Sequence, residues 1–364
     1  MAGVYVHIPF CKSKCGYCDF HSIPRLQLAG DYVDALLCEL RARVDRPVST
    51  VYIGGGTPSA LPLSELSRLL SELPSEGVEE FTIEVNPDDV TREFADFLAQ
   101  SPVNRVSMGV QSLVDAELKA AGRRHDAAGA VEACRRLREA GIANISLDLI
   151  YGLPLQTLES WRYSLSQLIA LGPKHVSAYM LSIEEGTRFF AMRQAGKLTE
   201  ASEDTLTLMY AEMCYMLAEA GYEHYEISNF SQPGYRARHN SSYWSGADYI
   251  GLGTGAHSFV DGVRGSNPPD VARYIRQHGA DFFEREEETD DNRFNTMVIT
   301  RLRTSDGLDL GEMETQFGPG SVRRLLADAD PYLSSGRMTR EGSALKIKED
   351  AWLVSDSILV DLIR

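Results

Sequence analysis

Short apolar, β-branched runs alternate with amphipathic stretches through the first half of the chain. Runs at 4–8, 50–53, 81–85, 105–109, 145–150 and 175–180 predict strands. Between them apolar residues recur at helical spacing over 31–44, 64–73, 92–99, 127–139 and 158–171. Strand alternating with helix predicts parallel strands joined by right-handed crossovers. Six such units without obvious closure predict an α/β fold, a partial (β/α)6 barrel of TIM type. An open doubly wound sheet is its structural rival.

After residue 200 the pattern changes. A long helix over 204–220 precedes loops rich in Gly, Asn, Ser and aromatics up to Asn267. The acidic run 284–291 reads as a solvated connector. Helical patterns over 293–303, 310–316 and 321–328, then a hairpin-like pair at 338–339 and 344–347, predict a small helical domain of winged-helix style. The expected organisation is a barrel over 1–200, an extension over 201–284 and a helical C-terminal domain over 285–364. No solenoid repeat or low-complexity tract interrupts it.

At 364 residues, 43% hydrophobic and 24% charged, the chain can bury a sizeable core and is too apolar for disorder. A formal charge of −16 disfavours sequence-independent binding of nucleic acid, and the acidic tail past residue 285 does so again. The N-terminus lacks a signal-peptide pattern, and no stretch approaches the ~18 apolar residues of a membrane span. A cytoplasmic protein with no membrane anchor is expected. Of six cysteines, Cys38, Cys134 and Cys214 stand alone in helical contexts and are expected to fill core gaps. The other three crowd together, which suits a metal site better than a disulfide framework.

Those three form Cys11-Lys-Ser-Lys-Cys15-Gly-Tyr-Cys18, a C-x3-C-x2-C loop leaving the first strand. Three thiolates on so short a loop can converge on one face of an iron–sulfur cube, leaving one iron with an open position. Zinc is the rival, with His21 or His7 completing a closed Cys3His site. Polar or glycine-rich residues follow the other strands at the ends where barrel enzymes place their chemistry. They are Gly54-Gly55-Gly56-Thr57-Pro58, Glu84 with Asn86-Pro87, Gln111-Ser112, and Asp148 with Tyr151-Gly152. Arg123 and His125 lie in a loop between the last two. Each alone suits a strand-end cap or a surface ion pair; together at one rim they suggest a binding site.

Here the chain resembles radical S-adenosylmethionine (SAM) enzymes. The resemblance rests on Tyr5–Cys11, the cysteine triplet with Tyr17 before its last member, Gly54–Pro58, Glu84–Pro87, Gln111-Ser112 and Leu147–Pro154. More narrowly it is similar to the branch that holds oxygen-independent coproporphyrinogen dehydrogenase (HemN) and the heme chaperone HemW, over nearly the whole chain. The resemblance implies a [4Fe–4S] cluster on Cys11, Cys15 and Cys18, with SAM chelating the fourth iron. It also implies that Gly55, Gly56 and Thr57 lie against the methionine portion, and that Glu84, Gln111, Arg123 and Asp148 hold carboxylate and ribose. Tyr5 would sit beside the sulfonium and Tyr17 beside the cofactors. A zwitterion with an added sulfonium does need both an arginine and carboxylates around it.

Two functions fit this branch: radical decarboxylation of coproporphyrinogen III in porphyrin biosynthesis, and carriage of heme. Three features favour the carrier. Family dehydrogenases have a further cysteine two residues after the triplet, where this chain has Phe20. They also carry a longer N-terminal extension. Finally, His239-Asn-Ser-Ser-Tyr-Trp244 matches the H-N-x-x-Y-W signature of the chaperone group. The resemblance therefore implies heme as a third ligand, with His239 as the candidate heme-associated residue. Its implied partners are heme-accepting respiratory proteins and an electron donor.

Overall fold

The computed structural model describes residues 2–279 and 281–364. Its centre is a parallel run of β1 (Ala2–Ile8), β2 (Val48–Gly55), β3 (Glu80–Val85), β4 (Arg105–Gln111), β5 (Ile145–Tyr151) and β6 (His175–Met180). These six lie side by side in chain order, each parallel to the next. That order rules out the doubly wound rival, which must reverse at a switch point. The crossovers carry α1 (Ala29–Arg43), α2 (Leu63–Glu72), α3 (Arg92–Ala99), α4 (Asp115–Ala121), α5 (Ala127–Glu139) and α6 (Leu158–Leu171).

Alternation along the strands sorts the two faces. Val4, Val6 and Ile8, with Val51, Ile53, Phe81, Ile83, Val106, Met108, Leu147, Leu149, Val176 and Ala178, join the helices in one apolar core. Their alternates in register are largely polar: Tyr5 beside Tyr52, His7 beside Gly54, Glu84 beside Ser107, Asp148 beside Ser177. The sheet curls so that this second set lines a lumen, and the carboxylates of β3 and β5 both act on Tyr179 of β6. The barrel is therefore partial, with a dry outer layer and a polar interior.

After α7 (Arg188–Gln194) and α8 (Glu203–Glu219), the antiparallel pair β7 (Glu223–Glu226) and β8 (Asn229–Ser231) extends the sheet beyond β6. The chain then forms α9 (Arg238–Ser245), β9 (Tyr249–Leu252), β10 (His257–Val260) and β11 (Val263–Ser266). Strand β9 runs parallel to β1 on its free side, so the segment expected to be loops supplies the other flank of the sheet. Its strands are only four residues long, too short for a visible alternation.

Helix α10 (Val271–Arg276) leads to β12 (Glu284–Arg285), which pairs with β11. The acidic run is thus no simple connector. Thr289 caps α11 (Asp290–Leu302), and Asp290 and Asp291 occupy its first turn, where carboxylates favour the helix dipole. The tail continues through β13 (Leu308–Asp309), α12 (Leu310–Ser334), β14 (Met338–Glu341), β15 (Ala344–Ile347) and α13 (Ser355–Leu362). Helix α12 spans both helices expected there, broken where Gly318 takes φ 79° ahead of Pro319. A three-stranded sheet, β13-β15-β14, packs with these helices as a small winged-helix-like unit. Arg301 of α11 donates to the Trp244 carbonyl at 2.8 Å, tying this unit to α9.

Candidate cofactor site at the rim of the barrel

The cysteine loop leaves β1 at the C-terminal rim and is pinned at both ends. Cys11 N–H donates to the Ile23 carbonyl and Ile23 N–H to the Pro9 carbonyl, at 3.2 and 2.7 Å. Gly16 sits where a Cβ would lie 2.4 Å from the Phe189 ring, so the middle of the loop presses on α7. Tyr17 packs between Phe189 and the Ala121, Ile150 and Leu153 cluster. Lys12 Nζ donates to Asp89 at 2.5 Å, fastening the loop to the turn after β3.

All three loop thiols are free, with Cys11 buried and Cys15 and Cys18 half-buried. Burial first, then Cys15 and Cys11, pushes the Cys18 thiol up to about 11. Such a set calls for cationic compensation before it can ionise. Ligands of one tetrahedral zinc stand roughly 3–4 Å apart. Among the described residues, the one set of three His, Cys, Asp or Glu ligand atoms within 4.8 Å of one another lies elsewhere in the chain. The loop thiols do not form such a set with His21 or His7, and His7 is engaged otherwise, its Nε2 3.0 Å from the His21 carbonyl oxygen. The donor set fits a larger, thiophilic cluster.

Arg123 links this loop to the lumen. Its guanidinium reaches Cys15 Sγ at 3.4 Å, Asn86 Oδ1 at 2.7 Å and the Gly109 carbonyl at 2.5 Å, while Nε has no partner. Thr57 completes the net: Asn86 Nδ2 donates to its Oγ1 at 3.2 Å, and Cys11 Sγ lies 3.2 Å from the same oxygen. Gln111 occupies a β-bulge at φ 69°, a left-handed conformation uncommon for a non-glycine residue, with its amide folded against Gly109.

Below this layer, Tyr52 Oη donates to Glu84 Oε1 at 2.7 Å and Gly55 N–H to Oε2 at 3.1 Å. Burial nevertheless pushes the Glu84 carboxyl up to about 7, and nearby Asp148 adds to the rise. Burial likewise pushes Asp148 up to about 6, against hydroxyl bonds from its neighbours; Ser107 Oγ stands 3.3 Å from both carboxylate oxygens. Gly55 has φ 108°, and a Cβ there would lie 2.6 Å from the His7 ring; one on Gly56 would lie 2.8 Å from the Phe10 carbonyl. Backbone thus comes as close to the rim as it can. Tyr5 Oη stands 3.1 Å from His7 Nδ1, and burial holds His7 neutral with its pKa down at about 4.

His239 lies at the other end. Fully buried on α9, it places Nδ1 2.9 Å from Thr50 Oγ1 and Nε2 2.8 Å from Tyr243 Oη, and stacks on Tyr52. The backbone N–H groups of Arg238 and His239 donate to the Glu80 carboxylate at 2.8 and 3.0 Å. Helix α9 therefore floors the barrel at the N-terminal end of the strands. With both ring nitrogens engaged, His239 is not open to an iron in this arrangement.

The structure thus brings Cys11, Cys15, Tyr17, Thr57, Gln111 and Arg123 together at the rim. Tyr5, Gly55, Gly56, Glu84 and Asp148 lie just inside, and His239 lies deeper, its ring stacked near Tyr5 and Tyr52. Sequence reasoning missed Tyr52 and Ser107, visible only as polar alternates within apolar strands. It also missed Arg105, 1% exposed in the lumen with Nε and Nη1 unpartnered.

Residues 5–168 match the model of the radical SAM superfamily. The chain is 40% identical to the heme chaperone HemW of Lactococcus lactis, across 75% of this chain and 73% of that one. It is 32% identical to the heme chaperone HemW of Mycobacterium tuberculosis, across 99% and 94%. Among solved structures, coproporphyrinogen III oxidase (HemN) of Escherichia coli, a radical SAM enzyme, is similar to it with a TM-score of 0.85. That likeness comes at 25% identity and covers 100% of this chain and 90% of that one.

Proposed function

The chain belongs to the HemW family within the radical SAM superfamily, and from that membership and the rim we infer that it is a heme chaperone. In this reading it binds a [4Fe–4S] cluster, SAM and heme. Cys11, Cys15 and Cys18 hold the cluster, whose fourth iron stays open to a chelating amine and carboxylate. When bound, the cluster supplies an electron to the sulfonium; positioning is the task of the chain.

The observation that carries the cluster and SAM part of this reading is the Arg123 network, while heme carriage rests on the HemW relatives. One guanidinium, short of a partner at Nε, spans Cys15 and the lumen wall, a place from which it would meet a carboxylate arriving from the cluster side. Gly55 and Gly56 leave backbone for the methionine portion to lie on, beside Thr57. Gln111 flanks the same layer. Glu84 and Asp148 accept from an amine and a vicinal diol, Tyr5 lies nearest the sulfonium, and Tyr17 closes the loop behind the cluster. Ionisation of both lumen carboxylates improves when a cation enters, so SAM binding and proton release are coupled here.

Heme is carried for delivery to respiratory acceptors, with an electron donor serving the cluster, in a cytoplasmic setting. No helix among the described residues is long and apolar enough to cross a membrane. His239 contributes by holding α9 as the barrel floor, and any ligation by it requires α9 to shift. The likeness to coproporphyrinogen III oxidase favours a dehydrogenase as the second reading. Anaerobic, cluster-loaded protein offered heme and, separately, coproporphyrinogen III distinguishes them. Retention of about one heme per chain without protoporphyrinogen formation is expected; multiple-turnover decarboxylation overturns the chaperone reading.

A further inference from the structure

A second cluster of donors sits far from the rim, where the barrel meets the tail. Cys214 of α8, His224 of β7 and Glu349, just beyond β15, bring Sγ, Nδ1 and a carboxylate oxygen within 4.8 Å of one another. Sγ to Nδ1 is 3.9 Å and Nδ1 to Oε1 is 2.7 Å. The histidine is held for ligation. Its Nε2 lies 3.2 Å from the Ile227 carbonyl, which fixes the proton there and turns the Nδ1 lone pair towards Cys214 and Glu349. Its ring is clamped by Phe230, stacked 3.9 Å away, and by the edge of Trp352.

With the Nε2 proton committed, Nδ1 and the carboxylate present facing lone pairs that only a cation can join. The neighbouring space points to something larger than a proton. A cavity of about 590 Å3 opens beside the three donors, lined by Tyr210, Cys214, Glu349 and Leu353 among others. The phenol of Tyr210, 6% exposed, lines the same cavity beside Cys214.

We propose that Cys214, His224 and Glu349 form a site for one thiophilic divalent cation, of which zinc is the probe, with a cavity water as fourth ligand near Tyr210. One sulfur, one nitrogen and one oxygen with an open position is ordinary zinc chemistry. Tetrahedral ligands with zinc bonds near 2.0–2.3 Å stand roughly 3.3–3.6 Å apart, so Cys214 needs a slight approach and Glu349 a slight retreat. The Glu349 side chain is 56% exposed and free to make it. Because the ligands come from α8, β7 and the C-terminal segment, the ion clips the tail onto the barrel.

The test uses full-length, cluster-loaded protein, so that the rim sulfurs are occupied by iron. After exposure to zinc and desalting, metal analysis is expected to find about one zinc per chain with the iron content unchanged. Cys214→Ser abolishes the zinc and Glu349→Gln weakens its binding about tenfold or more, again without loss of iron. Zinc also raises the unfolding midpoint of the parent but not of Glu349→Gln, whose substitution is at the surface and leaves folding intact. No zinc in the parent, or zinc held equally by Glu349→Gln, overturns the proposal. Neither result bears on the heme-chaperone reading, which rests on the iron content and heme retention.

Discussion

Glu84 shows how a single side chain couples the lumen to pH. Its carboxyl is pushed up to about 7 from an ordinary 4.5, so the folded protein holds a proton that the unfolded chain releases between those values. Folding stability from this group is full below pH 4.5 and is lost as pH rises through 7. Glu84→Gln, measured against the parent by denaturant unfolding, should therefore gain relative stability from pH 4.5 to 7 and level off above. The span is at most ~3 kcal/mol, less where water enters the lumen. The same variant should weaken SAM binding about tenfold or more at pH 8, read by calorimetry on cluster-loaded protein. Gly55→Ala meets both a left-handed φ and the His7 ring, so it should lose about 1–3 kcal/mol of stability and its SAM affinity together. Phe20 stands 63% exposed where family dehydrogenases carry another cysteine. Phe20→Cys alone should create no decarboxylase turnover in a coproporphyrinogen assay, since one loop side chain leaves the rest of the pocket unchanged.

Among the elements, the six parallel strands were the most legible. Runs such as Ile145–Tyr151 are apolar on the helix side, and their polar alternates are few enough not to hide the run. Helices with clean stripes and caps were equally plain; Thr157 and Ser160 form a reciprocal capping box at the start of α6. Strands β9–β11 were not legible, because four-residue strands gain their identity from the strands beside them, β1 for β9 and β9 for β10, and not from their own pattern. The lumen was half legible. Glu84 and Asp148 announce themselves as carboxylates in apolar runs, whereas the partners that tune them, Tyr52 and Ser107, look like ordinary strand residues. Helix α9 carries the clearest gap between motif and placement, since nothing in His239-Asn-Ser-Ser-Tyr-Trp244 indicates that its histidine floors the barrel. Burial drives the His239 pKa down to about 3, so it stays neutral and its two bonds persist through the physiological range. His239→Ala should cost about 2–4 kcal/mol of global stability by leaving a cavity and unpaired hydroxyls, seen as a lower urea midpoint. If the midpoint is unchanged while heme absorption disappears, His239 serves heme directly and not the floor.

At the scale of the whole molecule, an apolar sheath of helices holds a polar lumen open at one end. The cysteine loop covers that end, and the acidic tail docks on the flank through Arg301, His224 and Glu349. The arrangement depends on the loop sulfurs being set for a cluster with one free corner. The most direct test is iron and sulfide analysis with electron paramagnetic resonance on anaerobically reconstituted, reduced protein, before and after SAM. About four irons and four sulfides per chain are expected, with a spectrum that shifts when SAM binds the open iron. Colourless protein holding a single zinc at the loop, or a cluster whose spectrum ignores SAM, would contradict it.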